Sequence, residues 1–166
     1  DRVGILLSQC VEAAISHVAA WKIGAISIPL FSLFGEEALS FRLKDSGAKI
    51  IVTEATHYPK LEAIRDQLPN LKLVALIDGK NGTGIADLWQ GLEKASDVFQ
   101  NADTLATDPS YIVYTSGTTG NPKGALQGHR SLIGHMPSVE FFHDFLPKPD
   151  DLMWTPADWA WIGGLM

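Results

Sequence analysis

The chain has 166 residues, of which 46% are hydrophobic and 19% are charged, and it carries a formal net charge of −6. The length suits one compact domain, and this composition, with a mean hydropathy of +0.07, excludes a disordered chain and a coiled coil. The acidic balance excludes the basic surface that attracts nucleic acid, and a single cysteine, Cys10, has no partner for a disulfide within the chain.

Short apolar runs alternate with segments of helical period through the first half of the chain. The apolar runs predict strands at residues 3–7, 25–30, 49–53 and 73–77. Ser8 is predicted as the N-cap of the helix that follows the first strand, and Gly24 as its end. Its buried face is expected to contain Val11, Ile15 and Val18. This alternation predicts an α/β fold of parallel-sheet βαβ units.

Two further helices are predicted between the later strands. One covers residues 36–46, where Leu39 and Leu43 share the core face and Gly47 is placed to end the helix in a left-handed turn. The other has an apolar face formed by Leu61, Ile64 and Leu68.

The middle of the chain is polar. Turn-forming residues fill positions 78–84, and residues 92–109 are expected to form a surface excursion without a core element. A soft boundary at 104–109 divides the βα units (1–103) from the rest of the chain (104–166). Both ends of the chain are apolar, unlike most native termini, so the chain is expected to be a piece of a longer protein.

The segment from Thr115 to Gly124 is the most informative part of the sequence, and it directly follows a strand predicted at residues 110–114. Its three glycines permit positive φ angles, and its hydroxyl and N–H groups can donate hydrogen bonds to anionic oxygens. Lys123 adds an ammonium, so the segment predicts a phosphate-binding loop. Pro122 stands before this lysine, where a Walker loop has glycine, which indicates a different class of nucleotide enzyme.

The run Tyr-Thr-Ser-Gly-Thr-Thr-Gly-Asn-Pro-Lys-Gly at residues 114–124 resembles the phosphate-loop signature of the adenylate-forming superfamily. That superfamily contains acyl-CoA synthetases, the adenylation domains of peptide synthetases, and luciferases. Residues 21–30 and 43–49 resemble two further stretches of it, so the resemblance covers nearly the whole chain. It implies a fragment of the large N-terminal AMP-binding domain of an acyl-CoA synthetase-like fold, with a strand–phosphate loop–strand hairpin after the βαβ units.

The resemblance implies a reaction in two halves. A carboxylate attacks the α-phosphorus of ATP to give an acyl adenylate and pyrophosphate, and a thiol then displaces AMP. ATP, Mg²⁺ and CoA are therefore expected, together with a small carboxylic acid. The residues that the resemblance assigns to the ATP phosphates are Thr115, Ser116, Gly117, Thr118, Thr119, Gly120 and Lys123.

Residues 154–164 are similar to a pattern of acetyl-CoA and medium-chain acyl-CoA synthetases. This likeness implies that Trp161, Ile162 and Gly163 line the acyl-substrate pocket. Gly163 stands where acetate-specific relatives carry a larger residue, which favours a short- or medium-chain fatty acid longer than acetate. The competing interpretation is that the three tryptophans of this stretch simply pack a core.

Other polar residues near the loop have simpler interpretations. His129 and Arg130 are interpreted as the start of a helix rather than as catalytic groups. Asp158 has two open interpretations: it caps a helix that begins near Trp159, or it lies near the channel for the thiol.

The sequence also predicts which kinds of site and segment the protein lacks. No cysteines and histidines stand at zinc-binding spacing, and no apolar run approaches the roughly 18 residues that span a bilayer. The first residues do not form a signal peptide. The prediction is a cytoplasmic protein with no metal site, no membrane span and no nucleic-acid partner.

The later motifs of the superfamily do not occur in the chain, including those for adenine, ribose and the lysine that assists adenylation. The chain alone is therefore expected to lack ligase activity, because the remainder of the protein is missing. No catalytic residue is identified within the chain. Two other functions stay open: an adenylation domain that loads a carrier protein, and a nucleotide-binding module without chemistry.

Overall fold

The computed structural model describes residues 1–79, 81–115 and 120–165. The strands are β1 (Arg2–Leu6), β2 (Ile26–Pro29), β3 (Ile50–Thr53), β4 (Leu73–Leu76), β5 (Ile85–Asp87), β6 (Pro109–Thr115) and β7 (Lys123–Gly128). The helices are α1 (Val11–Lys22), α2 (Glu36–Ser46), α3 (Tyr58–Ala63), α4 (Leu88–Glu93), α5 (Arg130–Phe142) and α6 (Ile162–Leu165), with a turn of 3-10 helix at Arg65–Gln67.

The strands form one sheet in the order β5-β4-β3-β1-β2-β6-β7. Neighbouring strands run parallel from β5 as far as β6, and β7 runs antiparallel to β6. The predicted α/β fold of parallel βαβ units followed by a hairpin is therefore confirmed.

Alternate residues of a strand point to opposite faces of a sheet, and the core of this protein accordingly divides into two clusters. One cluster combines strand residues with α2, and its members include Leu6, Ile28, Ile51, Leu39 and Leu43. The other combines strand residues with α1, and its members include Val3, Ile5, Val52, Ala13 and Ala20. The sheet is therefore covered by helices on both faces, as parallel sheets require.

The helix α2 agrees with its prediction at both ends. It covers the predicted residues, and Leu39 and Leu43 are buried. Gly47 follows with a φ of 61°, the left-handed conformation that glycine adopts without a steric cost. Arg2 donates from Nε to the carbonyl oxygen of Ser46 over 2.8 Å, so β1 also holds the end of this helix.

The helix α1 buries a different face from the one predicted. Its buried residues are Ala13, Ser16, His17 and Ala20. The exposed fractions are 69%, 39% and 48% for Val11, Ile15 and Val18. Small side chains let the helix lie close to the sheet, and His17 is buried because Ser27 of β2 supplies a hydrogen-bonding partner.

The start of α1 also differs from the prediction. Cys10 occupies the N-cap position without a side-chain capping bond, and it is partly buried against the second cluster. Ser8 instead donates from Oγ to Oε1 of Glu54 over 2.7 Å, and its backbone N–H donates to the same oxygen. The hydroxyl therefore joins the loops that follow β1 and β3.

Two short elements were not predicted in the polar middle of the chain. The strand β5 lies at one edge of the sheet, and α4 follows it directly. Asp87 caps α4 by accepting a hydrogen bond from the backbone N–H of Gln90 over 2.9 Å. Three strand residues and six helix residues are too few for a periodic pattern to be recognised.

In the described part of the chain, no helix has the length and apolarity to cross a membrane.

Candidate active site

The hairpin of β6 and β7 carries the predicted phosphate loop. Tyr114 pairs with Gly124 and Thr115 pairs with Lys123 where the two strands leave the ladder. The hydroxyl of Thr115 donates a long hydrogen bond, 3.5 Å, to the carbonyl oxygen of Lys123. Four of the predicted phosphate contacts lie outside the described residues: Ser116, Gly117, Thr118 and Thr119.

The other three predicted phosphate contacts lie together at the open end of the hairpin. Thr115, Gly120 and Lys123 are all exposed. Gly120 has a φ of 100°, and a Cβ built there would meet no described atom within 4 Å. The described part of this end thus combines a hydroxyl, an ammonium and a glycine with positive φ, which suits the anionic oxygens of a nucleotide phosphate.

Tyr114, the residue before the loop, is held by hydrogen bonds to the helix α2. The phenol of Tyr114 donates to Oδ2 of Asp45 over 2.7 Å and lies 3.2 Å from the carbonyl oxygen of Arg42. Burial, followed by the hydrogen bond to Asp45, raises the pKa of Tyr114. Burial lowers the pKa of Arg42, whose guanidinium carbon stacks 4.0 Å from the ring centroid of Phe34.

The tryptophans of the C-terminal segment have different surroundings. Trp159 packs against the second core cluster, whereas Trp154 is 81% exposed. Trp161 is 45% exposed, and its ring centroid lies 6.2 Å from that of Phe31, which follows β2. Only Trp159 therefore fits the interpretation of core packing.

The predicted acyl-pocket residues lie at the start of α6. A Cβ built on Gly163 would meet no described atom within 4 Å, so this position has free space around it. The side chain of Ile162 lies outside the described part of the structure, and its backbone begins α6. Phe31 was not among the predicted pocket residues because it is distant in sequence from Trp161.

Asp158 forms a local turn. Its Oδ1 accepts a hydrogen bond from the backbone N–H of Ala160 over 2.8 Å, and its carbonyl oxygen accepts one from Trp161 over 3.0 Å. The amide of Gln9 donates to the carbonyl oxygen of Ala157 over 2.6 Å and so joins this segment to the loop after β1. Among the described residues no helix begins near Trp159, since α6 begins at residue 162, so the interpretation of Asp158 as the cap of such a helix is wrong.

The interpretation of His129 and Arg130 as a helix start is confirmed. His129 is the N-cap residue of α5 and Arg130 is its first residue. His135 lies one turn later, with Nδ1 2.7 Å from the carbonyl oxygen of Ser131. Within the described ranges, no three His, Cys, Asp or Glu side chains are grouped as metal ligands would be.

A polar cluster that the sequence did not reveal lies where β1 and β3 end. Glu54 accepts two hydrogen bonds from Ser8, and its Oε1 lies 3.1 Å from Nε2 of His57. Although that distance suits an ion pair, the angles do not satisfy a hydrogen bond, and Nε2 is buried. Burial raises the pKa of Glu54, but the bonds from Ser8 and the charge of His57 outweigh it, so the net pKa is lowered.

Comparison with known proteins decides the family. The family model of AMP-binding enzymes matches residues 1–166. The chain belongs to the AMP-binding enzyme family. In this family member, the parallel sheet and the two strands of the hairpin lie where the resemblance of the sequence predicted them.

Individual relatives agree with this assignment. The chain is 33% identical over 166 residues to acetyl-coenzyme A synthetase of Bacillus subtilis, and 30% identical over 184 residues to that of Escherichia coli K12. Each alignment covers 99% of this chain and 28% of the relative. The chain therefore spans less than a third of the length of these proteins.

Solved structures of acyl-CoA synthetases share the fold. An acyl-CoA synthetase from Brucella canis superimposes with a TM-score of 0.83 at 30% identity, over 99% of this chain and 30% of that one. The inhibitor-bound N-terminal domain of FACL13 from Mycobacterium tuberculosis gives 0.81 at 28% identity, over 99% of this chain and 40% of that one.

Proposed function

We propose that this chain is part of an ATP-dependent acid–thiol ligase, an AMP-forming acyl-CoA synthetase. The enzyme activates a short- or medium-chain carboxylic acid as an acyl adenylate and transfers the acyl group to CoA. The observation that carries this proposal is the hairpin whose open end presents Thr115, Gly120 and Lys123 in a member of the AMP-binding family.

We also propose the place of the chain in a longer parent protein. Residues 1–166 would belong to its N-terminal AMP-binding domain, with the βα units in 1–103 and the phosphate loop and start of the acyl pocket in 104–166. The support is that relatives match 99% of this chain with only 28% of their own length. The chain alone would then lack pyrophosphate-releasing activity.

The proposed role of the loop is electrostatic. The acid's carboxylate oxygen forms a bond to the α-phosphorus, and the bond from that phosphorus to the bridging oxygen breaks and releases pyrophosphate. Pyrophosphate leaves with a high negative charge, and Mg²⁺ bound to the phosphates would neutralise part of that charge. The donors proposed to hold the departing oxygens are Thr115, Ser116, Gly117, Thr118, Thr119, Gly120 and Lys123. Preorganised donors of this kind stabilise charge as it develops, without reorganisation.

The acyl group is proposed to bind beside Trp161, Ile162 and Gly163. The contact between Trp161 and Phe31 supports this, because an aromatic wall suits an alkyl chain. Glycine at position 163 has no side chain to fill this place, which favours an acid longer than acetate.

The test is ATP–pyrophosphate exchange by the parent protein with saturated carboxylic acids of increasing length. Lys123→Ala removes the ammonium, and exchange should fall by roughly two to three orders of magnitude. Lys94→Ala, at the exposed residue that directly follows α4, is the matched control and should leave the rate unchanged. Unchanged exchange in Lys123→Ala contradicts the proposed role of the loop.

The second half-reaction distinguishes the acceptors. Consumption of CoA by the parent's acyl adenylate supports the ligase, whereas transfer only to a phosphopantetheine carrier protein would make it an adenylation domain. ATP binding without exchange for any acid would instead indicate a nucleotide-binding module. The isolated chain serves as a further comparison, and pyrophosphate release by it would contradict the proposal that it is incomplete.

A further inference from the structure

Tyr114 is the last buried residue of β6, and the exposed Thr115 follows it directly. Only 6% of Tyr114 is exposed, and its side chain belongs to the core cluster that contains α2. The conformation of the first loop residue therefore depends on a side chain that is fixed in the core.

Two contacts hold the ring of Tyr114. Its centroid lies 6.4 Å from that of Phe41 in an edge-to-face arrangement, and the guanidinium carbon of Arg42 lies 5.6 Å from it. On the neighbouring strand, a Cβ at Gly124 would lie 3.4 Å from two ring carbons. That is an ordinary van der Waals distance, whereas the same Cβ would lie only 2.9 Å from Cγ2 of Ile112, so glycine is required here by Ile112.

The phenol adds a bond of defined direction. Its single proton has two acceptors nearby, and the carboxylate of Asp45 at 2.7 Å is closer than the carbonyl oxygen of Arg42 at 3.2 Å. A bond from a hydroxyl to a carboxylate is charge-assisted and roughly twice as strong as a neutral one. Since burial and Asp45 both raise the pKa of Tyr114, the phenol remains a donor at neutral pH.

We infer that Tyr114 and Asp45 form an anchor between β6 and α2 that positions the phosphate loop for the β- and γ-phosphates of ATP. This inference rests on the proposed function. Neither side chain is proposed to touch the nucleotide, so both are positioning residues.

The anchor acts by reducing the freedom of the loop. A glycine-rich segment loses much conformational entropy when it is ordered, and binding must supply that free energy unless the loop is already held. The anchor fixes the backbone at the point where the loop leaves the sheet. Its loss should therefore weaken the use of ATP and leave the use of the carboxylic acid unchanged.

The test uses the parent protein and steady-state kinetics with ATP and the acid varied separately. Tyr114→Phe keeps the ring and removes the bond, and Asp45→Asn removes the charge of its acceptor. Each should lower kcat/KM for ATP by roughly five- to tenfold, which is part of the free energy of one charge-assisted hydrogen bond, with no change in KM for the acid. The double variant should be no worse than Tyr114→Phe alone, because both changes act on the same bond.

Tyr111→Phe is the matched control, since it removes a phenol from the same strand. The Tyr111 ring centroid lies 6.4 Å from that of Trp21 on α1, away from α2. This variant should leave kcat/KM for ATP within about twofold of the wild type. An equal loss of kcat/KM for ATP in this variant would show that the effect comes from a general change in the core, and it would overturn the proposed anchor.

Other outcomes are equally decisive. The anchor is wrong if Tyr114→Phe and Asp45→Asn use ATP like the wild type, if their effects add in the double variant, or if KM for the acid rises in parallel. If Tyr114→Phe does not fold, Asp45→Asn alone carries the test, because Asp45 is exposed. Failure of the proposed function is distinguishable, because then the wild type itself shows no ATP–pyrophosphate exchange.

Discussion

His17 and Ser27 form a hydrogen bond in the interior of the protein, with 3.0 Å between Nδ1 of the imidazole and Oγ of the serine. Trp21 donates from Nε1 to the same oxygen over 3.0 Å. The exposed fraction is 2% for His17 and 0% for Ser27. Burial lowers the pKa of His17 to about 4, so the imidazole is neutral when the protein is folded at neutral pH.

This neutral histidine predicts a stability that depends on pH. The pKa of His17 is about 4 when folded against 6.5 for the ordinary group, so the unfolded chain binds more protons between these values. Stability is therefore full above about pH 6.5 and decreases as the pH falls towards 4, by at most about 3 kcal/mol. Urea-unfolding midpoints of the parent between pH 7.5 and 5 measure this change.

His17→Gln is the control for that prediction, because glutamine keeps a polar group at this position and does not titrate. The variant should lose this part of the pH dependence between pH 5 and 6.5. If the wild type and the variant follow the same curve, the buried imidazole is not its source.

Ser27→Ala tests the shared hydroxyl directly. Alanine leaves both Nδ1 of His17 and Nε1 of Trp21 without their partner, and an unsatisfied buried group costs about 1–3 kcal/mol. We expect a loss of that size in the free energy of unfolding, measured at pH 7.5. Ser96→Ala, at an exposed serine, should change it by less than about 0.5 kcal/mol. Equal effects of the two changes would contradict a structural role for this hydroxyl.

Gly47→Ala should destabilise the protein by roughly 1–2 kcal/mol, because φ is 61° and an alanine Cβ is strained there. The added Cβ would also lie 2.9 Å from Nη2 of Arg2. Gly91→Ala is the opposite case: Gly91 lies within α4 with no described atom near its Cβ position, so alanine should stabilise by about 0.5–1 kcal/mol. Thermal unfolding of both variants measures the difference, and shifts of the same sign would be inconsistent with it.

Gly163→Leu should shorten the proposed acyl pocket. The position has free space, so leucine enters without displacing described atoms and occupies volume that a longer acid would need. We expect kcat/KM to fall by about tenfold for the longest accepted acid and to change little for acetate. Gly91→Leu serves as the matched control. An unchanged chain-length profile in Gly163→Leu would remove this residue from the pocket.

The sequence predicted elements best where local chemistry and packing agree. In α2, two leucines one turn apart face the core and Gly47 supplies the stop signal, so the helix follows from its own residues. In α1, apolar residues occur on more than one face, so periodicity alone was insufficient. The buried face was decided by small residues and by the partner that Ser27 offers to His17, neither of which is a local property.

The candidate site likewise contains residues that the sequence could indicate and contacts that it could not. The sequence could indicate Thr115, Gly120 and Lys123 as phosphate contacts because phosphate binding requires glycines, hydroxyls and a cation within one short segment, and this assignment stays a prediction. Tyr114 and Asp45 are 69 residues apart, and their bond depends on where α2 crosses the sheet. No pattern in either segment contains that information.

The pairing of β2 with β6 places the proposed sites for the acid and for the nucleotide at the ends of neighbouring strands. Ser27 is in register with Tyr111, and four residues further along each parallel chain come Phe31 and Thr115. Phe31, next to Trp161, follows the end of β2, and Thr115, the first phosphate-loop hydroxyl, ends β6. Each strand end should therefore govern one substrate, Phe31 the acid and Thr115 the nucleotide.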